Sequence, residues 1–199
     1  GRFRQAIQGD GKGSEYWNHL REVTEDAIRG AELNESDWNL LVEKMKKSLF
    51  FTGKVGEMFI ERCPKDKLEN LLLDQGGLIG LVARIKTEDR FSPSFVYWIS
   101  FVLDACHRVG DEAKALRINS AHVVNRMCQK GWIPNEHWLV QKVAKGKGGR
   151  VATAIATRTE TATKGGVRVE PAEKPETPEE FGKTVSGDVG ENPTPVTIN

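Results

Sequence analysis

Cysteine is sparse in this chain and poorly placed for chemistry. Cys63, Cys106 and Cys128 form no CxxC pair, so reduced thiols are expected rather than a disulfide framework or a zinc site. Histidine is scarce too. His19, His107, His122 and His137 fall into no HExxH or comparable spacing, and no metal or cofactor is expected. Cys106 and His107 adjoin, but neighbours on a helix diverge by about 100°, so Cys106 reads as a small core residue rather than a nucleophile. The glycine clusters GDGKG (9–13) and GKGG (146–149) neither follow a buried strand nor end in GK[ST]. They read as linkers, not phosphate loops. Nothing here suggests an enzyme. No apolar run approaches the ~18–20 residues that span a bilayer, so no membrane partner is expected. The opening GRFRQAIQGDGKG has no apolar h-region, and a soluble, intracellular protein is expected.

A global charge of one sign is also missing. The 199 residues carry a formal net charge of +1. The balance is uneven, however. Residues 1–150 hold 24 Lys and Arg against 20 Asp and Glu, whereas residues 151–199 hold 5 against 8.

What the chain has is helical periodicity. Trp17, Leu20, Val23 and Ala27 recur at helical spacing, with Ser14 as a candidate N-cap and Gly30 as a stop. Trp38, Leu41, Val42, Met45 and Leu49 make a second stripe, with Asp37 near its start and Lys46 and Lys47 near its end. Gly76-Gly77 interrupts a third pattern, which fits one kinked helix or two short ones. A fourth, capped by Ser92 or Ser94, buries Phe95, Trp98, Ile99, Val102 and Leu103; Gly110-Asp111 then restarts a helix through about Gln129. All five Trp fall within 17–138. Trp17, Trp38, Phe95, Trp98, Val102 and Leu103 are the expected core. Convincing strand alternation is scarce before residue 150.

The expected fold class is all-α: a four-helix bundle with extra short helices and a disordered C-terminal tail. Its expected boundaries are a flexible N-terminal arm over 1–13, the bundle over 14–140, and a basic linker with a mostly disordered tail over 141–199. The tail is rich in Pro, Glu and Gly and carries Phe181 as its one aromatic residue after 150. It cannot bury enough apolar surface to offset about 1–2 kcal/mol per residue of backbone entropy.

Arg108, Asp111, Lys114 and Arg117 stand three or four apart and share roughly one helix face. A solvated face with internal ion pairs would look like this. So would a cationic edge aimed at phosphate, with the carboxylate orienting an arginine. The run ARIKTEDR adds Arg84, Lys86 and Arg90, interleaved with Glu88 and Asp89.

RFSPSFVYWISFVLD (90–104) and RVGDEAKALR (108–117) together resemble tobamovirus coat proteins, and the multipartite soil-borne relatives with longer tails. The resemblance implies a viral coat (capsid) protein that self-assembles with identical subunits into a helical rod and encapsidates single-stranded genomic RNA. It implies a virion location, with assembly in the host cytoplasm. Under it, Arg108 resembles a buried arginine paired with an acid of the preceding helix, here Glu88 or Asp89. Asp111 and Arg117 match an RNA-side acid and arginine, and Lys114 stands where the family has an apolar residue. A rival register sets LIGLVARIKTEDR against the family's third helix and makes Arg84 and Arg90 the RNA contacts. Two further readings stay open: a pentatricopeptide-like RNA-binding helix pair, suggested by ACHRVGDEAKAL and VVNRMCQKGWIPNE, and a non-catalytic α-helical protein-interaction module.

Overall fold

The computed structural model describes residues 1–50 and 53–145. Among them the chain is all-α: nine α-helices, one short 3-10 turn and no strand. It divides into two compact units between Leu81 and Val82, inside what the sequence pattern suggests is one bundle over 14–140. The division follows packing partners, which periodicity along the chain does not reveal.

The first unit contains α1 (Arg2–Ile7), α2 (Gly13–Arg29), α3 (Glu35–Lys47), α4 (Gly53–Arg62), α5 (Lys65–Leu73) and the start of α6 (Leu78–Thr87). Helix α2 packs on α4, α3 packs on α5, and α1 lies on α2 and α3. Helix α3 starts where its sequence demands. The Asn34 side chain accepts the Asp37 N–H at 2.9 Å, while the Asp37 carboxylate accepts the Asn34 N–H at 3.1 Å, a reciprocal capping box. Trp17 and Trp38 are buried, each beside a phenylalanine ring: Phe50 at 5.5 Å and Phe59 at 5.7 Å.

Residues 2–7 correct the expectation of a flexible arm over 1–13. Phe3, Ala6 and Ile7 share one helix face and are buried. Arg4 then fixes α1 to the start of α3, with Nη2 at 2.8 Å and Nε at 3.1 Å from Asp37 Oδ1. At Gly76-Gly77 the chain makes two helices rather than one kinked helix. Gly76 takes φ +79°, and a Cβ on Gly77 would lie 2.6 Å from the Leu71 carbonyl oxygen.

The second unit holds the rest of α6, then α7 (Ser94–Val109), the 3-10 turn (Asp111–Ala113), α8 (Lys114–Gln129) and α9 (Trp138–Lys145). Helices α7, α8 and α9 all pack on one another. The Ser92 hydroxyl accepts the Ser94 N–H at 3.4 Å and opens α7, the helix that buries Phe95, Trp98, Val102 and Leu103. Gly110 turns the chain from α7 into the 3-10 turn at φ +94°, ψ −139°, a conformation open essentially to glycine alone.

Helix α9 corrects the boundary at 140/141. Leu139, Val140 and Val143 are buried at helical spacing, so the segment expected to begin a basic linker is still packed helix. The expected tail, from about 148 onward, lies outside the described residues. No helix among the described residues is long and apolar enough to cross a membrane.

Candidate nucleic-acid interface

The cationic surplus belongs to the second unit. Residues 82–145 hold ten Lys and Arg against six Asp and Glu, a net of +4; residues 1–81 hold twelve against fourteen, a net of −2. The near-neutral total therefore hides one basic unit and one slightly acidic one.

Within the second unit α7, α8 and α9 enclose a groove of about 450 Å³. Its walls divide by chemistry. Leu103, Ala121 and Val143 give it apolar lining, and Trp138 adds an aromatic ring. His107, Arg117, Lys142 and Lys145 supply the basic groups, and Asp104 is the acid. That acid is already committed. Lys142 Nζ lies 2.8 and 2.9 Å from the two Asp104 oxygens, a chelating bridge from α9 to α7. Arg117 and Lys145 form no salt bridge among the described residues, so they carry the groove's uncompensated charge.

Local sequence explains the placement. The Tyr97 ring, from α7, sits 6.0 Å from that of Trp138, interplanar angle 34°. His137 precedes α9, and its Nδ1 accepts the Leu139 N–H at 3.0 Å, capping the first turn. Burial holds the His137 imidazole down to about 4, so it stays neutral and can accept that hydrogen bond. Nearby, burial pushes the Cys106 thiol up to about 12, against the opposing pull of Arg117. Cys106 is therefore a protonated core residue at neutral pH, unsuited to nucleophilic attack.

The sequence-derived candidates distribute unevenly. Arg117 lines the groove; Arg108, Asp111, Lys114, Arg84, Lys86 and Arg90 are not among its wall residues. Asp111 is exposed in the 3-10 turn and Lys114 at the start of α8, and Arg108 is half-buried in the last turn of α7. Arg84, Lys86 and Arg90 are exposed at and beyond the end of α6. Arg108 and Glu88 are only half-buried and Asp89 is exposed. Glu88 Oε1 lies 3.6 Å from Arg84 Nε, one helical turn back, where no long-range fold is needed to bring them together.

Asp104, Lys142 and Lys145 are the charged groove residues that the sequence pattern did not mark. The two lysines were legible in principle, because they adjoin the Leu139-Val140-Val143 stripe. A second aromatic cluster lies elsewhere on this unit. Trp132 is half-buried beside Phe91 at 5.6 Å, with Arg126 Cζ and Lys130 Nζ 5.4 and 5.5 Å from its ring.

Among the described residues no group of three or more His, Cys, Asp and Glu is arranged to hold a metal ion. The arrangement can bind an anion beside an apolar surface. No protein-family model, curated protein or solved structure matches the chain.

Proposed function

We propose that the chain is the coat protein of a rod-shaped RNA virus of plants. In this role it self-assembles into a helical rod and encapsidates single-stranded genomic RNA. The observation that carries this reading is the α7–α8–α9 groove, whose lining joins Arg117 and Lys145 with Trp138 and the apolar Leu103, Ala121 and Val143. Cations beside aromatic and apolar surface complement a polymer that offers one phosphate and one base per residue. The motif-level likeness of residues 90–104 and 108–117 to rod-virus coat proteins supports the same reading.

A four-helix coat scaffold is part of this proposal, and α2, α3, α7 and α8 are the four longest described helices. In this proposal the removal of residues 150–199 spares assembly. One subunit offers few open cations and binds weakly. Many subunits on one strand bind by avidity, through a repeated heterologous contact that does not close on itself. The charge pattern suits this role: a subunit near neutrality can stack with copies of itself without strong repulsion.

The test is direct. Purified full-length chain is mixed with single-stranded RNA at low salt, then followed by gel shift and negative-stain microscopy across pH and ionic strength. Retarded RNA and discs or rods are expected. Monodisperse particles under every condition, with RNA left free, would refute the coat reading and favour a protein-interaction module.

A further inference from the structure

Resting on that reading, the geometry points to a subsite for one unpaired nucleotide in the α7–α8–α9 groove. The base lies against Trp138 and the apolar Leu103, Ala121 and Val143, and the phosphate lies at Arg117 and Lys145. Volume is the first argument. A groove of about 450 Å³ is in the range of small-molecule sites and holds far more than a phosphate group.

The division of its walls is the second. A wall that met only a duplex backbone would need cations and hydrogen-bond donors, because base faces are hidden inside the stack. This groove instead includes apolar side chains in its lining, which match the face of a base taken out of the stack. Trp138 is half-buried and held by Tyr97, so one aromatic edge is already fixed in place before a ligand arrives.

Charge is the third. Asp104 holds Lys142 at 2.8 Å, which leaves Arg117 on α8 and Lys145 on α9 to meet the phosphate. Gln141 adds an amide to the same wall. Its Nε2 donates to the Glu136 carbonyl at 3.4 Å, so its oxygen is the atom left to accept from a base edge. Stacking of this kind tolerates any base and demands only that the base be unpaired. The subsite therefore discriminates by strandedness rather than by sequence.

The experiment compares a short single-stranded RNA with a duplex of the same sequence, using full-length wild type, Trp138→Ala and Trp138→Phe. Circular dichroism checks that each variant is folded. Wild type is expected to bind the single strand more tightly than the duplex, although the duplex has the greater charge density. Trp138→Ala should weaken single-strand binding about tenfold, and Trp138→Phe should retain most of it. Tryptophan emission gives a second readout. Single-stranded RNA should quench wild type, and Trp138→Phe should lose that quenching while Trp132→Phe keeps it. Unchanged affinity in Trp138→Ala, or equal quenching in Trp138→Phe, overturns the subsite and leaves the coat reading standing. RNA that fails to bind wild type at low salt overturns both.

Discussion

His137 gives the groove a pH dependence whose size can be worked out. The imidazole is buried, and its Nδ1 accepts the Leu139 N–H at 3.0 Å. Protonation would set a new N–H against that donor and charge a buried ring. Desolvation accordingly lowers its folded-state value to about 4, against an ordinary 6.5. Between these values the unfolded chain binds more protons than the folded one. The stabilisation is therefore complete above pH 6.5 or so and is lost as pH falls toward 4. The gap corresponds to roughly 3 kcal/mol in full, and to about 2 kcal/mol between pH 7.5 and pH 5. Against a typical stability of about 5–15 kcal/mol this is a large fraction. Urea titrations at the two pH values measure it, with a midpoint drop on the order of 1 M for wild type. His137→Asn is the informative variant. An asparagine oxygen can accept the same N–H two residues on, as in an Asx turn, but it does not titrate. The variant should thus keep the α9 cap and lose the part of the pH dependence that His137 supplies. An identical midpoint drop in wild type and His137→Asn would show that the imidazole is not the sensor.

The remaining predictions concern the groove and the backbone that shapes it. Arg117→Ala and Lys145→Ala should each weaken single-stranded RNA binding and make the log–log salt slope shallower by about 0.7, which titrations at several ionic strengths would read. Asp104→Asn should do the reverse: it frees Lys142, so affinity rises a few-fold and the slope steepens by about 0.7. Gly110→Ala should cost about 1–3 kcal/mol in denaturant unfolding, because φ +94°, ψ −139° is closed to a side chain.

Much of the helical framework was legible because its causes are local. Asn34 and Asp37 mark the start of α3, and Phe95, Trp98, Val102 and Leu103 mark the buried face of α7 by spacing alone. Arg117 was legible as a cation on a helix. Its partners in the groove were not, because Asp104 and Lys142 meet across 38 positions of sequence. Helix α1 was hidden by its shortness and by the glycines that follow, although Phe3, Ala6 and Ile7 carry its apolar face. Helix α9 was hidden by the lysines and glycines that come after it, which drew the expected linker back over Lys142 and Lys145. The division at Leu81 and Val82 left no trace in periodicity, since a helix can pass through it unbroken.

These facts bear on how tightly a single subunit can hold RNA. The groove's cations are Arg117, Lys142 and Lys145, and one of the three is spent on Asp104. Two open charges release about 1.4 counterions from a single strand, far below the number that tight, salt-sensitive binding requires. The exposed Arg84, Lys86, Arg90 and Lys114 could raise the count only if one RNA strand reached them as well. The salt slope of an isolated subunit therefore separates two designs. A slope near 1.4 means that the groove acts alone and firm encapsidation comes from repetition along the strand. A slope of 3 or more means that the outer cations engage too, and the path of the RNA extends from α9 toward the end of α6.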